Sequence, residues 1–379
     1  MNEMNLIEVR DRIAADNEGK WDDLLDPEEM LFRDGRLTFP RLYRAEQPKG
    51  LALTRWATAQ VCQRLNIPLA YFRRCPSPLQ DEQANHWLHS LKAVQNSGHG
   101  YGQRERGRQS HKANNGQKER DRWLLRVKHD VLRGALSERY TRLDNEDLLA
   151  SLLPSLETRF EVGWFALTDE SLHLRLLDPR LTREVLPGDR LVAGLHIANS
   201  EVGKRSVTVD ALVYRLVCQN GLVRLVKGRS LLHQRHVALT QPRMELALKN
   251  AVNEALIQST GFMERLSWAT EQHINDVPGT LDAIASDWGL SQALRGKVQE
   301  AILTEPRYLH ETLYGLVNGL TGAAQALAAD DRYTLEALAG KLLETGPPRP
   351  LLRATGISTS ILLENSETEL SLFADPKTS

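Results

Sequence analysis

Hydrophobic positions change their spacing twice along this chain, and the changes divide it. Up to residue 96 the apolar residues recur mostly at three- and four-residue intervals, which predicts a mainly helical region. In "LALTRWATAQVCQRLNIPLAYFRRCPSP" (51–78) a helix runs from Thr54, a good N-cap, through Val61 to Leu65, and Asn66-Ile67-Pro68 breaks it before a second short helix that stops at Pro76. Two helices across so short a turn have the outline of a helix-turn-helix. The second presents only Arg73 and Arg74, so a packed helical hairpin is the default.

From Trp123 the period shortens to that of strands. "WLLRVKHDVLRGALSERY" reads as extended to about Ser137, and "LDNEDLLASLLPSL" as a helix with Leu148, Leu149, Leu152 and Leu153 on its apolar side. "FEVGWFALT" and "LHLRLLD" flank the polar "DES" as a hairpin, and "RLVAGLHIANSEVGKRSVTVDALVYRLVC" supplies two or three more strands around Asn199-Ser200. In "LVYRLVCQNGLVRLVKGRS" (212–230), Asn220-Gly221 is the strongest local turn signal of the chain and predicts a strand that reverses there or hands over to a helix. An extended first run puts Tyr214, Leu216 and Cys218 on one face, with Arg215 and Val217 on the other.

After Pro242 helical spacing returns. It extends over about seven turns in "RMELALKNAVNEALIQSTGFMERLSWATE", continues in "SQALRGKVQEAILTE", "YLHETLYGLVNGLTGAAQAL" and "RYTLEALAGKLLE", and is closed by "GPPRP". The expected fold is α+β, a largely antiparallel sheet with flanking helices followed by a C-terminal helical bundle with an acidic outer face. The expected divisions are 1–96, mainly helical; 97–121, a flexible basic loop; 122–242, the α+β sheet domain; 243–345, helical; and 346–379, a linker and tail fit to dock a protein partner.

Composition bounds the class. With 379 residues, 41% of them hydrophobic, the chain can bury a real core, and no apolar run approaches the roughly 18 to 20 residues of a membrane span. The N-terminus "MNEMNLIEVRDRIAADNEG" is charged and lacks an apolar signal core, so the expected setting is cytoplasmic, with no membrane partner. Three separated cysteines, Cys62, Cys75 and Cys218, fit a reducing compartment and read as small buried hydrophobes.

The net charge of −1 conceals a segregation. Residues 1–40 carry 11 acidic and 5 basic side chains and 243–345 carry 14 and 8, whereas 104–128 carry 9 basic against 3 acidic and 203–235 carry 7 against 1. Such separation creates local positive fields. The stretch "SGHGYGQRERGRQSHKANNGQKER" (97–120) has five glycines and six Lys/Arg but no Val, Ile, Leu or Met, and so cannot build a core. It reads either as a solvated insertion or as an arm that tracks phosphates, with Tyr101 available to stack on a base.

Tests for catalytic motifs return little. "NSEVGKRS" holds Gly203-Lys204, but Ala198 and Arg205 stand where a phosphate loop needs Gly and Ser/Thr, so it reads as a turn with two exposed cations. "HQRH" places His233 and His236 three apart without a third metal ligand of recognisable spacing. Asp144, Glu146 and Asp147 fall at a helix N-terminus, where carboxylates suit the macrodipole. No nucleophile elbow, metalloprotease helix or dinucleotide-binding loop occurs, and no cofactor or metal is expected.

Several stretches together carry a resemblance: "LTRWATAQVCQRLNIPLAYFRRCP", "RGALSERYTRLDNEDLL", "GLHIANSEVGKRSVTVDALVYRLVCQNGLV", "RHV" and "LYGLVNGLTGAAQAL". From about residue 50 to 345 the chain resembles the phage/plasmid-like proteins of the domain-of-unknown-function family 932, with "LSERYTRLDN" and "YRLVCQNGL" the most specific strings. The resemblance implies a context of phages and mobile plasmids and transfers no catalytic residue. The basic loop looks like an insertion relative to it.

The leading expectation is a non-enzymatic, oligomerising nucleic-acid binder, of a kind that binds or anneals single-stranded DNA in recombination or replication. It would hold phosphates through Arg104, Arg106, Arg108, Lys112 and Lys118, and through Lys204, Arg205, Arg224, Lys227, Arg229 and Arg235. Two other readings stand beside it. One is a metal-dependent nuclease using carboxylates at 144–147 or Asp210 with His233 or His236; the other is a protein-interaction module acting on a host or phage partner.

Overall fold

A computed structural model of the chain describes residues 4–39, 50–97, 122–156, 159–216, 220–224 and 241–346. In chain order the elements are α1 (Leu6–Asn17), β1 (Lys20–Leu25), β2 (Leu31–Arg33), β3 (Arg36–Thr38), β4 (Ala52–Leu53), α2 (Arg55–Arg64), α3 (Leu69–Arg74), α4 (Ser77–Ser97), β5 (Trp123–Lys128) and β6 (Val131–Ser137). They continue with α5 (Asn145–Leu156), β7 (Glu161–Leu167), β8 (Leu172–Leu186), β9 (Asp189–Asn199), β10 (Thr208–Arg215), β11 (Asn220–Arg224), α6 (Gln241–Ala269), α7 (Val277–Trp288), α8 (Gln292–Thr304), α9 (Leu313–Ala324) and α10 (Ala329–Thr345). The fold is α+β, and the chain divides into two compact units nested in sequence. The inner unit comprises 15–142 with 202–204, and the outer unit 1–14, 143–201 and everything from 205 onward.

The inner unit is built on a sheet ordered β1-β5-β6-β4, antiparallel except for β4 beside β6. Helices α1 to α4 supply most of the described residues before 98, as expected, but 15–142 belong to one unit in which β1 pairs with β5 from Lys20 opposite Lys128 to Leu25 opposite Trp123. The sequence "KWDDLL" lacks the alternation of a half-buried strand. Its extended form is imposed by the partner, because Asp22 faces Arg126 and accepts from its Nε at 3.1 Å. The helical hairpin forms as expected, with Thr54 Oγ1 accepting from Ala57 N at 3.0 Å and Asn66 turning the chain at φ 56°. Gln60 locks α2 onto the sheet: its Oε1 accepts from Ala135 N at 2.9 Å, and its Nε2 donates to Val202 O at 2.8 Å. Val61, Leu65, Phe72 and Leu88 close over Leu125, Val127 and Leu132.

The outer unit is built on a five-stranded antiparallel sheet ordered β11-β10-β9-β8-β7. Strand β8 runs well past the expected "LHLRLLD". Its register with β9 breaks between Leu177 and Thr182, and Pro179, which cannot donate to a ladder, falls in that interruption. Asn220-Gly221 is not itself the turn. Both are strand residues, Gly221 opposite Tyr214 and Asn220 opposite Arg215.

Period-2 alternation gives this sheet two unlike faces. On one, Leu172, Leu174, Leu176, Leu195, Ile197, Val209 and Ala211 pack on α1, α5 and α6. Farther along the same face, Leu191, Ala193 and Val213 share a core with Phe262 and Leu266 of α6 and with α7 to α10. The C-terminal helices pack on one another, as expected, and share their core with these strands. No helix among the described residues is long and apolar enough to cross a membrane.

Helix α6 approaches the sheet closely enough for Ser259 to enter the ladder. Its Oγ lies 2.9 Å from Gly194 O and accepts from Leu212 N at 3.2 Å, joining two strands at facing positions. Gly194 must lack a side chain here, since a Cβ would stand 2.2 Å from Leu176 O. Ser259→Ala should lower the unfolding free energy by about 1 kcal/mol, measured by urea denaturation, because it removes the buried hydroxyl that bonds both Gly194 O and the Leu212 amide.

Candidate functional site

The other face of the outer sheet carries the chemistry. Cross-strand register aligns one residue from each of four strands: Trp164 (β7) opposite Arg175 (β8), Arg175 opposite His196 (β9), and His196 opposite Asp210 (β10). His173 lies in the adjoining row, two residues before Arg175 on the same face. Polar residues at alternate strand positions ordinarily face water. Here α10 covers them, and His173, Arg175 and His196 are fully buried.

Helix α10 meets this surface with three complementary groups. Asp330 accepts from His173 Nε2 at 2.9 Å, from Ser171 Oγ at 3.1 Å and from Arg205 Nη2 at 2.8 Å. Tyr333 donates its hydroxyl to Asp210 at 2.8 Å. Glu336, fully buried, is paired with Arg175 across the layer and accepts from Arg332 Nε of its own helix at 3.1 Å. The guanidiniums of Arg175 and Arg332 each lie 4.7 Å from the Trp164 ring, and that of Arg205 lies 4.8 Å from the Tyr333 ring. Gly221 makes room for this arrangement, since a Cβ there would stand 2.7 Å from Arg175 Nη1. Its glycine serves close approach rather than a turn.

Protonation states follow from the bonding. A carboxylate only accepts, so His173 Nε2 carries the proton directed at Asp330, and the Nδ1 of a neutral His173 is then an acceptor. His196 Nε2, 3.0 Å from that Nδ1, must be the donor, which leaves the lone pair on His196 Nδ1 exposed to the layer, where it has no hydrogen-bond partner. Burial pushes the His173 imidazole down to about 4, against the pull of Asp330, and pushes His196 well below the usual histidine range, aided by the Arg175 charge. Both rings are neutral at neutral pH. Burial, together with the Asp210 charge, also drives Tyr333 far up, so it remains a phenol.

A second ionic group lies on the opposite sheet face. Arg215 donates from Nε to Asp189 at 2.7 Å and from Nη2 to Glu305 at 3.0 Å, while Tyr314 donates its hydroxyl to Asp189. Burial raises the Tyr314 pKa, and Arg215 is held protonated by Glu305 and Asp189 in spite of burial.

Neither group was anticipated as a site. Of the expected phosphate contacts, Arg104, Arg106, Arg108, Lys112, Lys118, Lys227, Arg229 and Arg235 lie outside the described residues, as do Cys218, His233 and His236. Arg224 ends β11 opposite Ala211, its side chain outside the description. Lys204 Nζ lies 5.9 Å from the Trp56 ring, the two sharing the inner unit. Arg205, expected as an exposed cation, turns inward: its side chain is only 16% exposed and is bound to Asp330. The turn containing it is as expected; its direction is not.

Asp144, Glu146 and Asp147 sit at the start of α5, and burial and the two neighbouring carboxylates push Asp147 up. Among the described residues no group of three or more His, Cys, Asp or Glu could hold a metal ion. Cys62 is buried, and its thiol is pushed up to about 12, so it fills core space and is not a nucleophile at neutral pH. No protein-family model, curated protein or solved structure matches this chain.

Proposed function

We propose that the chain is a nucleic-acid-binding protein of phage or plasmid type, favouring single strands and acting without catalysis. The observation that carries this reading is where the acidic residues go. Asp22 pairs with Arg126, Asp16 with Lys128 at 2.6 Å, Asp330 with Arg205, and Asp189 and Glu305 with Arg215. Acids of the N-terminal and C-terminal segments are thus already committed to the cations nearest the folded strands. The sequence still carries five basic against one acidic residue over 104–118 and four against none over 224–235.

This surplus is what phosphates would neutralise, with release of the counterions they hold. Tyr101 within the first segment adds a ring on which a base can stack, and stacking favours unpaired strands. The phage and plasmid context rests on the sequence resemblance. Arg205 drops out of the proposed contact set because it is occupied within the outer unit.

Fluorescence anisotropy with a labelled single-stranded oligonucleotide tests the proposal. If six or more phosphates are contacted, affinity should fall by about 10³-fold or more between roughly 50 and 200 mM salt. Replacing Arg104, Arg106 and Arg108 together by Glu should weaken binding and flatten the salt slope. Absence of binding at the lower salt, or indifference to those changes, would overturn it.

A further inference from the structure

We propose that the His196–His173–Asp330 chain is a proton-sensitive latch which, on mild acidification, releases the first two turns of α10 from the sheet of the outer unit. This inference is independent of nucleic-acid binding.

The layer balances only while both imidazoles are neutral. Three guanidiniums (Arg175 from β8, Arg205 from the turn before β10, Arg332 from α10) meet three carboxylates (Asp210 from β10, Asp330 and Glu336 from α10). The phenols of Tyr333 and Tyr214 add no charge. Glu336 is shared between Arg175 and Arg332, and Asp330 between Arg205 and His173. Asp210 accepts from Tyr333. An added proton finds the open lone pair at His196 Nδ1, directly opposite Arg175, and the imidazolium it creates is one more cation than the carboxylates match. Burying an unmatched charge is costly, so the protonated layer must open to water.

It opens at one end of α10 because the helix is held in two ways. Asp330, Tyr333 and Glu336, within its first two turns, are held through the polar layer with Leu335 as the one apolar-core residue among them, whereas Ala339, Leu342 and Leu343 farther along are all buried in that core. Only the first set feels the proton. The direction follows from linkage: a histidine with a folded pKa below its unfolded value binds fewer protons folded than unfolded. The contribution of the latch is complete above the unfolded value near 6.5 and is lost as pH falls from there toward about 4, the His173 value.

Hydrogen exchange of the intact chain at pH 7.5, 6.5 and 5.5, corrected for intrinsic rates, is the test. Amides of 330–336 should lose tenfold or more of their protection between pH 7.5 and 5.5, while those of 339–345 and of α9 keep theirs. His196→Gln retains a donor toward His173 but removes one of the two protonation sites, and should cut the pH dependence to about that of His173 alone. Protection at 330–336 that is indifferent to pH, loss that is uniform across the outer unit, or the same dependence in His196→Gln would each overturn the latch. Should that variant fail to fold, wild-type urea midpoints serve: they must fall from pH 7.5 to 5.5 with an uptake above one proton on unfolding, and a flat midpoint counts against the proposal.

Discussion

Glu336→Gln should lower the unfolding free energy by about 3–5 kcal/mol, the range for breaking a buried ion pair from one side. Glutamine keeps the volume and one acceptor oxygen, so the loss is that of the charge. The cation it deserts is poorly placed to compensate. Arg175 is fully buried, and its Nε and Nη1 have no hydrogen-bond partners, so Glu336 is its carboxylate anchor. Arg332 loses the same acceptor. Replacing both Arg175 and Glu336 by Met should cost less than Glu336→Gln alone, because one cation, Arg332, rather than two is then left without its carboxylate. Denaturant titrations of the three proteins read this directly. A Glu336→Gln loss under about 1 kcal/mol would mean that water already reaches the layer.

Arg215→Ala is the second large effect, again about 3–5 kcal/mol. Here two carboxylates are abandoned, Asp189 on β9 and Glu305 just after α8, and the Tyr314 hydroxyl is left to bridge alone toward Asp189. Their repulsion adds to the desolvation of each. Arg215→Lys should recover only part of the loss, since a single ammonium cannot replace a guanidinium that serves Asp189 through Nε and Glu305 through its fork. Thermal melts would separate the three proteins, and a Lys variant equal to wild type would reduce Arg215 to a point charge.

How far the sequence could be read depended on whether local pattern or distant partner decides an element. The hairpin β7–β8, the helices α2, α5 and α6 and the N-cap at Thr54 follow from spacing within a dozen residues, and spacing showed them. The strand β1 did not, because "KWDDLL" becomes a strand through a partner about a hundred residues later. Asn220-Gly221 misled for a related reason: the pair that favours a turn in isolation is recruited into β11, where the missing Cβ admits Arg175. For the ionic layer the signal was present and pointed the wrong way. His173 and Arg175, His196, and Asp210 alternate with apolar residues on three successive strands, the usual mark of a water-facing side. What reversed it was α10, whose Asp330, Tyr333 and Glu336 are spaced by three and recur on one helical face. That spacing, set beside the strand pattern, was the clue available.

The nesting of the two units bears on how the chain comes into being. Leu6, Val9 and Ile13 belong to a core whose next members, in α5, are synthesised some 130 residues later and whose strands come later still. At about 5–20 residues per second, the opening helix of a nascent chain waits on the order of ten to thirty seconds for its cover. During that interval the inner unit acquires nearly all of its own chain, lacking only residues 202–204. Biosynthesis thus favours an order in which the middle of the protein condenses first while its beginning remains a waiting amphipathic segment, open to whatever apolar surface reaches it before its own sheet does.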